Sequence, residues 1–179
     1  MWVTLGLVLA ASGLAAGPAG AVPAAPQPGG AKATAVVVTY NDNGAPDFQA
    51  DIAEASEVWN SSVDNVTFVD TDGAADFYYY EGDDLSAHEY STDGRGHGWI
   101  YLPRSLAGTH PIRIITHTLG HILGLPDHYS GPCSELMSGG GPGTACSNPY
   151  PNATERAVVD SLWATGPAAA PLRATAARR

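Results

Sequence analysis

Two histidines four residues apart, His117 and His121, precede Gly124 and Asp127 in the string HTLGHILGLPD. On a helix, residues i and i+4 share one face a turn apart. Both imidazoles can then converge on one cation, at the roughly 2.0–2.1 Å that zinc prefers. Gly124 is a natural stop for such a helix, and Pro126 keeps it from continuing. The chain can fold back there, so Asp127 brings a carboxylate to the same ion. Three protein ligands leave a position open for water, as hydrolysis by zinc requires. A lone His pair is weak evidence. The whole spacing H-x3-H-x2-G-x2-D, with glycine where the turn must fall, is much stronger. Met137, ten residues later in a Gly/Ser-rich loop, suits a methionine turn beneath such a metal. The competing reading makes both histidines ordinary core or surface residues and Asp127 a turn cap.

The elements that must position these residues are readable in outline. Thr34 to Tyr40 is β-branched and aromatic and predicts a strand. Asn41 to Pro46 is a turn cluster, and Asp47 can cap the helix after it. Phe48, Ile52, Ala55 and Trp59 form an apolar stripe of helical period, ended by Asn60-Ser61-Ser62. Asn65 to Val69 and Asp76 to Tyr80 predict short strands around the Thr71-Asp72-Gly73 turn. Glu81 to Gly94 is polar and predicts a loop. Gly98 to Leu102 predicts a strand stopped by Pro103, with Trp99 and Tyr101 as candidates for lining a cleft. Thr109 can cap the histidine helix, with Pro111 in its first turn. Gly131 to Tyr150 has no period. Asn152 and Glu155 match a capping box for a last helix with Val158, Val159, Leu162 and Trp163 inward. This order predicts an α/β (α+β) domain, a mixed sheet with about three helices against it.

Composition narrows the partners. Between Thr34 and Gly166 only Arg95, Arg104, Arg113 and Arg156 stand against all 18 acids. So acidic a surface repels nucleic acid and anionic membranes, and neither is expected as a partner. Residues 1–21 read as a signal peptide, apolar and small with Ala19-Gly20-Ala21 at the cleavage rule, although no Lys or Arg precedes the apolar run. Residues 22–33 are Pro/Gly/Ala-rich and read as a pro-segment or linker. Residues 34–165 form the expected domain and 166–179 a biased tail. The secreted, extracellular setting favours a disulfide between Cys133 and Cys146, with free thiols or metal ligation as alternatives.

The segment His117 to Tyr129 resembles the metal-binding stretch of the snapalysins, small secreted bacterial neutral zinc proteases similar to metzincins. The resemblance runs on through Gly131 to Gly141, Cys146, Tyr150-Pro151-Asn152, Glu155-Arg156 and Leu162-Trp163-Ala164. Upstream it takes in Trp59 to Val63 and Tyr79 to Gly82. It covers about Thr34 to Ala164. It implies a metzincin-like zincin fold with a Met-turn at Met137 and one catalytic zinc on His117, His121 and Asp127. It also implies endopeptidase activity on polypeptides, with an aromatic residue favoured just after the cut bond, and a bond between Cys133 and Cys146. Tyr129 is implied near the metal as a transition-state stabiliser, against a packing or surface role. A monomer is expected.

Thr118 departs from that pattern. The family motif is H-E-x-x-H, whose glutamate takes a proton from water and passes it to the leaving amine. Threonine has no carboxylate. Such groups contribute about 10²–10⁴-fold, so zinc binding and efficient cleavage are separate expectations. Glu135, Glu155, the acids of 81–89 and His128 are weak substitutes. His88, His97 and His110 read as solvated. Asp70, Asp72, Asp76 and the Asp83-Asp84 pair raise a calcium site, but solvated turn carboxylates are the plainer reading and calcium is not predicted. Three functions compete: an active zinc metalloendopeptidase, a zinc-binding pseudoprotease that holds peptides without cutting them, and a secreted domain without metal.

Overall fold

The computed structural model describes residues 34–84, 87–107 and 109–164. The expected signal peptide, pro-segment and tail lie outside the described residues. Five strands and three α-helices form the described part. They are β1 (Val36–Gly44), α1 (Gln49–Asn60), β2 (Val66–Asp70), β3 (Phe77–Gly82), β4 (Glu89–Thr92), β5 (Gly98–Pro103), α2 (Pro111–Ile122) and α3 (Ala153–Trp163).

The sheet order is β2-β1-β3-β5-β4. The first four strands are parallel, and β4 runs antiparallel to β5 at the edge. One face of the sheet carries Val38, Tyr40, Phe68, Phe77, Tyr79, Ile100 and Leu102 into the core. These pack with Phe48, Ile52, Ala55 and Trp59 of the first helical stripe and with Ile115, Leu119 and Ile122 of α2. Period-2 patterning thus meets period-3.6 patterning, as a two-layer domain requires.

Two tryptophans tie the helices together. Trp59 Nε1 donates to the Thr116 carbonyl at 2.8 Å, and Trp163 Nε1 to the Leu123 carbonyl at 3.0 Å. Each buried indole therefore reads the backbone of α2 or its end, which fixes the helix that carries the histidines.

Several sequence expectations change. β1 runs on to Gly44 because Asn41 and Gly44 still pair with β3 across a register shift. Asp47 does not cap α1: Phe48 is the N-cap residue, without a side-chain cap, and Asp47 instead meets Arg104. His110 rather than Thr109 precedes α2, and the Thr109 hydroxyl donates to Leu106. The 81–94 loop contains β4, a short polar strand held by its pairing with β5 rather than by any apolar pattern of its own. Val158 is exposed, while Val159 and Trp163 face the core. Trp99 and Tyr101 alternate with buried Ile100 and Leu102, so they lie on the opposite sheet face and do not line the cavity that His117 lines. The Tyr101 hydroxyl donates to Asp84. The Asn152–Glu155 capping box is present as expected.

Candidate metal centre

α2 places His117 and His121 on its buried face, where they are 6% and 5% exposed. Gly124, at φ 98°, ends the helix in the left-handed region, and the Leu125 N–H closes onto the Gly120 carbonyl at 2.9 Å. A side chain at 124 would also meet the Gly94 carbonyl oxygen at 2.9 Å. The reversed chain returns Asp127 to the histidines. Its Oδ1 lies 3.2 Å from His117 Nε2 and 3.3 Å from His121 Nε2, and the two Nε2 atoms are 3.1 Å apart.

The other ring nitrogens are committed. His117 Nδ1 lies 3.1 Å from the Leu136 carbonyl, and His121 Nδ1 lies 2.8 Å from the Leu125 carbonyl. A carbonyl only accepts, so each Nδ1 carries a proton and each ring turns its Nε2 inward, toward the other ring and Asp127. Asp127 Oδ1 is buried there without a hydrogen-bond partner. Burial by itself raises the Asp127 carboxyl. Contacts with His117 and His121 and the Tyr129 hydroxyl outweigh that and hold it well below the usual carboxylate range. The result is two imidazole nitrogens and one carboxylate oxygen aimed at one point, a donor set that suits zinc. The residues present therefore fit the implied metal. Among the described residues this trio is the group of three His, Cys, Asp or Glu side chains that could hold an ion.

The neighbouring residues brace the trio. Met137 lies in a short 3₁₀ turn, Leu136–Ser138, behind α2. A Cβ on Gly120 would come within 2.6 Å of Met137 Sδ, so the missing side chain lets the methionine approach the helix between the two histidines. Glu155 holds the same turn from α3 by accepting the N–H groups of Leu136 and Met137. Arg113, 5% exposed, donates to the Asn148 and Gly139 carbonyls and to Ser138 Oγ. Cys133 and Cys146 form a disulfide across that loop. From the edge strand, the Tyr90 ring stacks on His121 with centroids 4.4 Å apart and planes 8° from parallel.

Thr118 is fully buried on α2, and its hydroxyl donates to the Ile114 carbonyl at 2.8 Å. Tyr129 is exposed, and its hydroxyl donates to Asp127 Oδ2 at 2.9 Å. His128 pairs with Glu135 at 2.5 Å and stands outside the trio. Glu81 and Asp83 hold Arg104. Asp76 accepts the Thr39 N–H and hydroxyl, each at 2.7 Å. His97 pairs with Asp93. His88 differs from the solvated residue the sequence suggests. It is half-buried and lines a cavity of about 520 Å³ together with His117, Arg113, Ile114 and Tyr129. Burial, with His117 and His121 nearby, lowers it from 6.5 to about 4, against an opposing effect of Asp127. Neither His88 nor Tyr90 stands in a recognisable motif, so spacing alone had no means of finding them.

The chain was compared with known proteins. The model of the family described as Streptomyces extracellular neutral proteinase (M7) matches residues 35–166. The extracellular small neutral protease of Streptomyces lividans is 53% identical over 135 residues, covering 75% of this chain and 60% of that protein. The one from Streptomyces caespitosus is 54% identical over 132 residues, covering 73% of this chain and 99% of that protein. The chain thus spans 60% of the first relative and 99% of the second. Among solved structures, archaemetzincin from Methanopyrus kandleri superposes with a TM-score of 0.51 at 11% identity. The match covers 74% of this chain and 97% of that one, a likeness of fold alone.

Proposed function

The chain belongs to the Streptomyces extracellular neutral proteinase (M7) family, and on that premise we propose that it is a secreted zinc metalloendopeptidase whose ion is held by His117, His121 and Asp127. The observation that carries this reading is the buried Asp127 Oδ1, without a hydrogen-bond partner and within 3.3 Å of the Nε2 atoms of both His117 and His121. Zinc bound there supplies Lewis acidity, polarising a peptide carbonyl and making water acidic. The carbonyls of Leu136 and Leu125 hold the imidazoles in the ligating tautomer. The Tyr129 phenol, which donates to Asp127 Oδ2 in the free chain, is the proposed donor to an oxyanion developing on the substrate carbonyl. The cavity lined by Leu106, Ile114 and Arg113 is taken as the seat of the side chain after the cut bond, aromatic by family resemblance. Polypeptides are the proposed partners and the monomer the proposed state. No described helix is long and apolar enough to cross a membrane.

A second reading has its own support. The Thr118 hydroxyl is buried and donates to Ile114, so it takes no part as a base. The chain would then be a zinc-bound pseudoprotease that holds peptides without cutting them. A paired assay separates the two: zinc content, and casein cleavage with and without o-phenanthroline, for this chain and for Thr118→Glu. Chelator-sensitive cleavage by the unaltered chain supports the enzyme. Cleavage by Thr118→Glu alone supports the pseudoprotease. No zinc in either overturns both.

A further inference from the structure

Thr118 leaves the cleft without the carboxylate that moves protons in this motif. Among the described residues no Asp or Glu side chain lines the 520 Å³ cavity, but two histidines outside the ligand trio do, His88 and His110. His110 is exposed and immediately precedes α2, seven residues before His117. Seven helical residues span about 10 Å, so its backbone lies about two turns from His117. His88 immediately precedes β4, where Glu89 and Ser91 are exposed and Tyr90 and Thr92 are half-buried. His88 is two residues before Tyr90 and continues that half-buried series, on the face where Tyr90 stacks on His121.

We propose that the His88 imidazole is the proton carrier of this site, taking the place that Thr118 leaves vacant. The inference rests on the metalloendopeptidase reading. As the attacking water forms its C–O bond to the peptide carbonyl carbon, one of its protons passes to the free imidazole nitrogen of His88. As the C–N bond breaks, that proton passes to the leaving amine nitrogen. The second water proton stays with the new carboxyl group, and His88 ends neutral. The charged and titratable groups around it are His117 and His121 from α2, His110 before that helix, Asp127 and Tyr129 from the returning loop, and Arg113 across the cavity.

The test uses the full zinc-loaded chain, His88→Ala, His88→Gln, Thr118→Glu and Thr118→Glu combined with His88→Ala. Cleavage of a fluorogenic peptide and zinc content are read for each. His88→Ala and His88→Gln are expected to lower kcat by about 100-fold or more, with KM and zinc content little changed. The combined variant is expected to recover, since Glu then carries the proton. A second readout needs no substitution and no turnover: imidazole 15N shifts of the unaltered chain with and without a bound peptide hydroxamate. His88 is expected to take up the proton that the hydroxamate releases. Unchanged kcat in both His88 variants, or a His88 that stays neutral in that complex, overturns the proposal. Cleavage by Thr118→Glu with none by the unaltered chain overturns it too, while leaving the protease cleft intact. Absence of zinc from every variant overturns the metalloendopeptidase reading with it.

Discussion

The carboxylate of Glu155, in the first turn of α3, accepts the Met137 N–H at 2.7 Å on the far side of the metal centre's supporting loop. The same side chain accepts the N–H groups of Leu136 at 3.1 Å and Asn152 at 2.6 Å. One buried anion therefore completes a helix cap and clamps the turn whose Leu136 carbonyl orients His117. Glu155→Gln removes the charge and one acceptor, leaving a backbone N–H unsatisfied. It is expected to lower unfolding free energy by about 2–3 kcal/mol, read from the urea midpoint, and to weaken zinc binding in a chelator competition.

Gly120 makes a second prediction, because helix propensity and packing oppose each other there. Alanine is a better helix former by about 1 kcal/mol. Yet its Cβ would stand 2.6 Å from Met137 Sδ, and overpacking costs about 1–3 kcal/mol. Gly120→Ala is expected to destabilise on balance. Adding Met137→Ala should relieve the clash, so the two changes together cost less than their sum in thermal melts. Strict additivity would mean that the close approach does not matter.

Removing the ion leaves three convergent ligand atoms without the cation they suit. At free zinc about 100 times its dissociation constant the bound state is stabilised by about 2.7 kcal/mol. Dialysis against a chelator is expected to lower Tm by roughly 10 °C in a domain this size. Asp127→Asn, which removes the anionic ligand, should lose zinc on dialysis and show little further fall in Tm on chelation.

His88 predicts a pH dependence in the metal-free chain. Its folded pKa of about 4 lies below its ordinary 6.5. Between those values the unfolded chain binds more protons, so stability rises with pH across that window and is lost as pH falls through it. Urea midpoints measured at pH values from about 7 to about 4 should fall less steeply for His88→Asn than for the unaltered chain. Parallel curves would show that His88 is not desolvated in the folded state.

The Cys133–Cys146 disulfide closes a loop with a sequence separation of 13. Reduction is expected to cost about 3 kcal/mol of stability by the chain-entropy argument. Arg113, the Glu155 clamp and the loop's other hydrogen bonds should still hold Met137 near α2, so zinc stoichiometry at saturating metal is expected to survive reduction.

Much of the site was legible in the string H-x3-H-x2-G-x2-D. Helical periodicity places His117 and His121 on one face, and Gly124 is where the chain must turn, so the return of Asp127 is a local event within eleven residues. The capping box at Asn152 is local in the same sense. β4 was not legible, because a four-residue edge strand with one apolar residue takes its form from pairing with β5 and from Tyr90 packing on His121. Asp47 was misread because an aspartate before a helix looks like a cap, whereas Arg104, distant in sequence, takes its carboxylate.

By itself the sequence determined which side chains can form the trio, which segments carry the two periodicities and which residue is missing at 118. Those are properties of neighbours within a turn or two, set by backbone geometry and side-chain type. Only the tertiary structure decided that Tyr90 stacks on His121, that Glu155 reaches Met137, that the Thr118 hydroxyl is buried against α2 and that His88 enters the cavity with His117. With the exception of Thr118, each joins segments many residues apart. Their meeting depends on how the sheet edge and α3 pack against α2, which no local pattern encodes.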